Sequence, residues 1–142
     1  MLSRKTIEEN ALYWAFLVAL VATMGSLYFS EVRHYIPCSL CWYQRIFMYP
    51  LTILFGVAAV RKDRGVIYYG FPLAAIGGSI SLYHVLLQKL DWMKSNMPAC
   101  GLIPCDTDYI NWFGFVTIPV LALTAFILIL IILAVYTRVT RA

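Results

Sequence analysis

A chain of 142 residues that is 62% hydrophobic and only 13% charged exposes too much apolar surface to be a soluble domain. Its length allows one compact membrane domain, 1–142, and leaves no room for a separate soluble one. The formal net charge of +4 gives no reason to expect a nucleic-acid partner, and the placement of the basic residues says more than their sum.

Four stretches are predicted to span. The first, 11–29, has no charge. It is longer than a signal-peptide core, and Gly25-Ser26-Leu27-Tyr28 is a poor cleavage signal, so it reads as a retained helix. The second, 43–60, is uncharged after Arg45. The third, 66–87, carries His84 and no formal charge. The fourth lies in a charge-free stretch from Tyr109 to Thr137, with its helix over 112–136. Crossing about 30 Å of hydrocarbon takes roughly 20 helical residues, and all four reach that. The fold class expected is therefore an all-α integral membrane protein, a bundle of four transmembrane helices joined by outer loops over 30–42 and 88–111.

Lys and Arg bias sets the orientation. Arg4, Lys5, Arg61, Lys62, Arg64, Arg138 and Arg141 fall on one side, against Arg33, Arg45, Lys89 and Lys94 on the other. Both termini are then cytoplasmic, and the two cysteine-bearing loops are extracytoplasmic, on the side where disulfides persist. In the second outer loop, Leu86–Lys94 fits either a helix end turning along the membrane surface or an ordinary frayed end. In the first case Trp92 and Met93 lie in the interface, and Lys89 and Lys94 snorkel.

All four cysteines lie in these loops as two close pairs. Pro37-Cys38-Ser39-Leu40-Cys41 is a C-x-x-C, and residues three apart on one helical turn share a face. With Pro37 at a helix start, Cys41 falls in the first turn of the second helix, where unpaired amides and the positive dipole end favour a thiolate. Arg45 is four residues on, on the same face and inside a membrane segment, where a guanidinium is costly. Snorkelling to headgroups would explain Arg45 alone but not its register with Cys41. His34, Tyr35, Trp42, Tyr43 and Gln44 surround this motif, and an interfacial aromatic belt accounts for most such rings. His84, with Gln88 one turn on, lies at a depth where it could face Arg45 across the bundle or be a satisfied core histidine.

Cys100-Gly101-Leu102-Ile103-Pro104-Cys105 closes a small bent loop if oxidised. Exposed, strained disulfides suit exchange rather than bracing. Asp106 and Asp108 disfavour a thiolate at Cys105, which makes Cys100 the thiol to meet a partner and Cys105 the resolving one. A simple loop brace is the bland alternative. A four-thiolate zinc site fits the spacing but not the oxidising side of the membrane, so no metal is expected.

Cys38-Ser39-Leu40-Cys41-Trp42-Tyr43-Gln44-Arg45, four spans, a paired-cysteine second loop and Tyr109-Ile110-Asn111-Trp112-Phe113-Gly114 at the last span together resemble the DsbB/BdbC disulfide-bond formation proteins. The likeness covers nearly the whole chain. It is nearest to the Gram-positive BdbC form, because only the four residues 101–104 separate the second pair, whereas Gram-negative members have a longer loop. The resemblance implies a protein-dithiol:quinone oxidoreductase of the bacterial cytoplasmic membrane that reoxidises a thioredoxin-like thiol oxidase of the DsbA/BdbD type and so supports disulfide formation. Catalysis would rest on Cys38, Cys41, Cys100 and Cys105, with electrons entering at Cys100 and leaving at Cys41. Cys41, Arg45, His84, Gln44 and Trp42 would surround the quinone, menaquinone rather than ubiquinone. Two other readings fit the same outline: an enzyme like vitamin K epoxide reductase, whose C-x-x-C normally lies late in the chain, and a non-enzymatic tetraspan scaffold with structural loop disulfides.

Overall fold

The structure, a computed structural model, describes residues 3–34, 39–95 and 118–141. Within these the chain forms α1 (Arg4–Glu31), α2 (Ser39–Arg61), α3 (Val66–Lys89), the short α4 (Asp91–Ser95) and α5 (Ile118–Arg141). All but α4 are long and apolar enough to cross a bilayer, and no strand occurs among the described residues. The protein is an all-α, four-span membrane protein.

The four long helices pack in a ring, α1 on α2, α2 on α3, α3 on α5 and α5 on α1. Lipid tails are as apolar as leucine, so close packing rather than hydrophobicity must drive the association, and small residues permit it. On α1 the buried Ala11, Ala15 and Ala19 recur every four residues. On α3 the buried Gly70, Ala74 and Gly78 do the same, with Gly77 and Ser81 beside them. Phe55, Phe126 and Tyr136 fill the space between these stripes. Thr23 and Thr52 share a hydrogen bond of 2.8 Å across the α1–α2 seam, and the Thr52 hydroxyl also reaches the Ala19 carbonyl. Pro50 lies within α2, where it has no N–H to offer the carbonyl of Ile46, and the helix continues through it.

One end of the bundle gathers the start of α1, the α2–α3 turn and the end of α5. There Lys62 Nζ meets Glu9 Oε1 at 2.6 Å, and Arg64 Nη2 meets Glu8 Oε2 at 3.0 Å. Solvent-exposed pairs add little stability, but these two fix the turn against α1. Helix α2 ends in a Schellman-type closure: Lys62 adopts φ 54°, and the Asp63 N–H reaches back to the Ala58 carbonyl. The Asp63 carboxylate accepts from the Gly65 N–H and the Tyr69 hydroxyl, which holds it below the usual carboxylate range. Pairing with Glu9 raises the Lys62 ammonium correspondingly.

At the other end, α3 stops at Lys89, and Leu90 is extended (φ −103°, ψ 114°) before α4 begins. The segment around Trp92 is thus a helix end that breaks and restarts, not one that frays away. Trp92 is exposed.

Candidate functional site

Helix α2 spans Ser39–Arg61, so it takes in Cys41 ahead of the span expected from Tyr43. Cys41 is the third residue of the helix, near the positive end of the helix dipole. Arg45 and Tyr49 follow at successive intervals of four, on the same face.

That face forms one wall of an elongated cavity of about 510 Å³ in the corner between α1, α2 and α5. Helix α2 contributes Cys41, Gln44, Arg45, Met48 and Tyr49. Helix α1 lines it from Trp14 to Phe29 through Val18, Ala22 and Ser26. Helix α5 closes it with residues between Leu121 and Leu128. The stretch from Trp14 to Phe29 corresponds to roughly 22 Å of helix, so the cavity runs deep along the bundle. Its lining is overwhelmingly apolar, with the polar groups concentrated near Cys41.

Arg45 is the cation in this lining. Its Nη1 donates to Ser30 Oγ at 3.4 Å and its Nη2 to the Ser26 carbonyl at 3.3 Å, both on α1. No carboxylate pairs with it among the described residues. Trp42 covers it from outside, with the guanidinium carbon 5.4 Å from the ring centroid, a cation–π distance. Tyr49 donates to Ser26 Oγ at 3.5 Å, which extends the polar strip one turn inward.

His84 is placed differently. It is 1% exposed on α3, the helix that does not line the cavity, and its Nδ1 lies 3.0 Å from Gln44 Nε2. An amide nitrogen can only donate, so Nδ1 is the acceptor in this contact. Gln44 is itself buried and reaches the cavity. His84 therefore stands one layer behind the cavity wall, joined to it through Gln44, while Arg45 turns toward α1. Gln44→Leu removes the donor to a buried nitrogen and is expected to cost about 1–3 kcal/mol, read as a lower unfolding midpoint in detergent. An unchanged midpoint would show that this bond contributes nothing.

Of the residues singled out from sequence, Cys41, Gln44 and Arg45 are brought together on one wall. Trp42 is 55% exposed and His84 is buried, and neither is among the cavity-lining residues. Cys38, Cys100 and Cys105 lie outside the described residues. Ser26, Ser30 and Tyr49 escaped notice. Tyr49 was within reach, since it continues the Cys41–Arg45 spacing by one more turn. The two serines and the α5 wall carry no signal of their own, because only the packing of α1 and α5 against α2 brings them there.

The sequence profile described as "Disulfide bond formation protein DsbB" matches residues 8–136. The chain belongs to the DsbB family. It is similar to "Probable disulfide formation protein C 1" of Bacillus anthracis, with 52% identity over 128 residues covering 90% of this chain and 92% of that protein. It is 54% identical over 120 residues to "Disulfide bond formation protein C" of Bacillus subtilis (strain 168), covering 84% and 87%. A "Probable disulfide formation protein" of Coxiella burnetii is 45% identical over 127 residues, covering 88% and 86%. No solved structure matches. As a DsbB-family protein, the chain is a disulfide-forming oxidoreductase set in a membrane by four helices.

Proposed function

We infer that this DsbB-family protein oxidises the dithiol of a thioredoxin-like thiol oxidase of the DsbA/BdbD type and passes the electron pair to a membrane quinone held beside Cys41. The observation that carries the reading is the shared wall: a cysteine in the first turn of α2 and an arginine four residues on line one deep apolar cavity. An isoprenoid-bearing ring needs an apolar slot with a few polar groups at one end, and this lining matches that demand. The bound quinone supplies the two-electron acceptor chemistry. Cys41 would face the quinone, and Arg45 would hold it by charge-assisted donation. Gln44, backed by His84, offers a second polar contact.

On the aqueous side, a thiolate of the partner attacks Cys100 of the Cys100–Cys105 disulfide and frees Cys105, and the partner's second thiol then closes the partner's own disulfide and frees Cys100. The Cys100–Cys105 pair then reduces Cys38–Cys41 by the same exchange. Each exchange breaks one disulfide as it forms another, so two electrons and two protons move per cycle. The DsbA–DsbB–quinone route is what keeps a bacterial periplasm oxidising. Seven basic residues at the end that carries Lys62, against four elsewhere, support cytoplasmic termini, with the cysteines facing out of a bacterial cytoplasmic membrane. The resemblance of the short second cysteine loop to the Gram-positive form points to menaquinone as the acceptor.

Purified protein incubated with a reduced thioredoxin-like partner and a soluble quinone analogue tests this directly. Thiol-dependent loss of quinone absorbance is expected from the wild type. Cys100→Ala should lower partner oxidation by at least a hundredfold while a small dithiol still reduces Cys38–Cys41. Inert disulfides in the wild type, or full partner oxidation by the variant, would sink the proposed route.

A further inference from the structure

The polar strip of the cavity beside Cys41 offers donors at two depths. Arg45 stands near the outer end, and Tyr49 follows on the same helical face, four residues or about 6 Å further along α2. Both are held loosely. Arg45 reaches Ser30 Oγ at 3.4 Å and the Ser26 carbonyl at 3.3 Å, and the Tyr49 hydroxyl reaches Ser26 Oγ at 3.5 Å. Ordinary N–H···O contacts run about 2.7–3.2 Å and O–H···O contacts about 2.5–3.0 Å, so all three are long. Tyr49 is half-buried in a mostly apolar lining, where a hydroxyl gains by finding a closer acceptor.

A quinone held beside Cys41 brings two carbonyl oxygens and no donor. They lie on opposite sides of one six-membered ring, a separation of about one helical turn. Arg45 serves the outer depth. Gln44 stands next to Arg45 in the chain, and its amide nitrogen is already 3.0 Å from His84 Nδ1, so it adds nothing a turn further in. Thr124, the hydroxyl on the α5 wall, is spent on the Val120 carbonyl at 2.8 Å. The space beside Tyr49 is open on the α1 side. A Cβ on Gly25, which lines the cavity next to Ser26, would meet nothing within 4 Å.

We propose that Tyr49 is a second hydrogen-bond donor to the quinone, one turn inward from Arg45, and that it exchanges its long contact with Ser26 for an oxygen of the ligand. The inference rests on the reading of this cavity as a quinone site and adds the residue that sets how deep the ligand lies.

Isothermal titration of the oxidised full chain in neutral detergent, with no reductant present, reads binding without turnover. The probes are a tailless dimethyl naphthoquinone and the matching dimethyl tetralone, which keeps one carbonyl and should give it to the charged donor, Arg45. Tyr49→Phe, which keeps the ring, should raise the naphthoquinone dissociation constant about tenfold and leave the tetralone value unchanged. Arg45→Met should weaken both. Ser26→Ala removes the competing acceptor but keeps the backbone carbonyl that meets Arg45, and should tighten the naphthoquinone about threefold. Wild-type affinity in Tyr49→Phe, an equal loss with both probes, or a tenfold loss in Ser26→Ala would overturn the role of Tyr49. A naphthoquinone that binds wild type and Arg45→Met alike, or binds neither, would sink the quinone reading itself.

Discussion

Replacing Arg45 with methionine is expected to lower quinone-dependent turnover roughly a hundredfold, the scale seen when one donor to a developing negative charge is removed. The variant should still be made and inserted normally. Methionine fills similar space without the charge, and a guanidinium inside a span is a cost that folding has to bear. Its two contacts with α1, at 3.3 and 3.4 Å, are too long to be a major source of stability. Arg45→Lys separates charge from shape: a point charge cannot reproduce the fork that spans Ser26, Ser30 and the cavity, so only part of the rate should return. Initial rates against concentration of a short-chain quinone, with reduced partner in excess, give the measurement. An Arg45→Met enzyme whose quinone dependence equals the wild type would remove Arg45 from the site.

Gly77→Val should be the most destabilising single change in the bundle. A Cβ on Gly77 would run into the ring of Phe126 and stand 3.1 Å from the Phe47 Cβ. Phe126 is fully buried and cannot swing away, and Phe47 Cβ is tied to its backbone. Relief therefore requires α3 to move off α2 and α5 together. Overpacking of this kind costs about 1–3 kcal/mol or more, seen as an earlier transition in a detergent-denaturation series. Gly25→Ala is the contrast, since a Cβ there meets nothing within 4 Å. It should leave stability intact. A Gly77→Val midpoint equal to that of Gly25→Ala would mean the ring has more freedom than the packing allows.

Much of this is legible in the sequence alone. Uncharged runs announced the four spans because a membrane demands them, and Cys41–Arg45 announced a common face because helical spacing is fixed. What sequence could not supply was anything created by two helices meeting. Ser26 and Ser30 are ordinary residues of an apolar helix until Arg45 arrives beside them. Gln44 looked like one polar group among several near the motif, yet it is the link between His84 and the cavity. His84 and Arg45, at matching depth, could have faced one another; instead they turn to different neighbours, a choice made by helix rotation, which hydropathy does not encode. Tyr136 reads as one more apolar position at the end of α5 until the ring of helices buries it in a cavity wall shared with Glu8 and Arg64.

Pro50 carries one more consequence. The rung it removes divides α2 into two mechanical pieces, since bending stiffness falls where a carbonyl loses its donor. The inner piece is anchored by Leu51, Phe55, Ala58 and Ala59, all buried. The outer piece bears Cys41, Gln44 and Arg45. On the proposed route the Cys41 sulfur meets first a dithiol and then a hydrophobic acceptor, and a lever with a fixed fulcrum would serve both. Bending at Pro50 would move the Cys41 end and leave the register of the Leu51–Ala59 end intact.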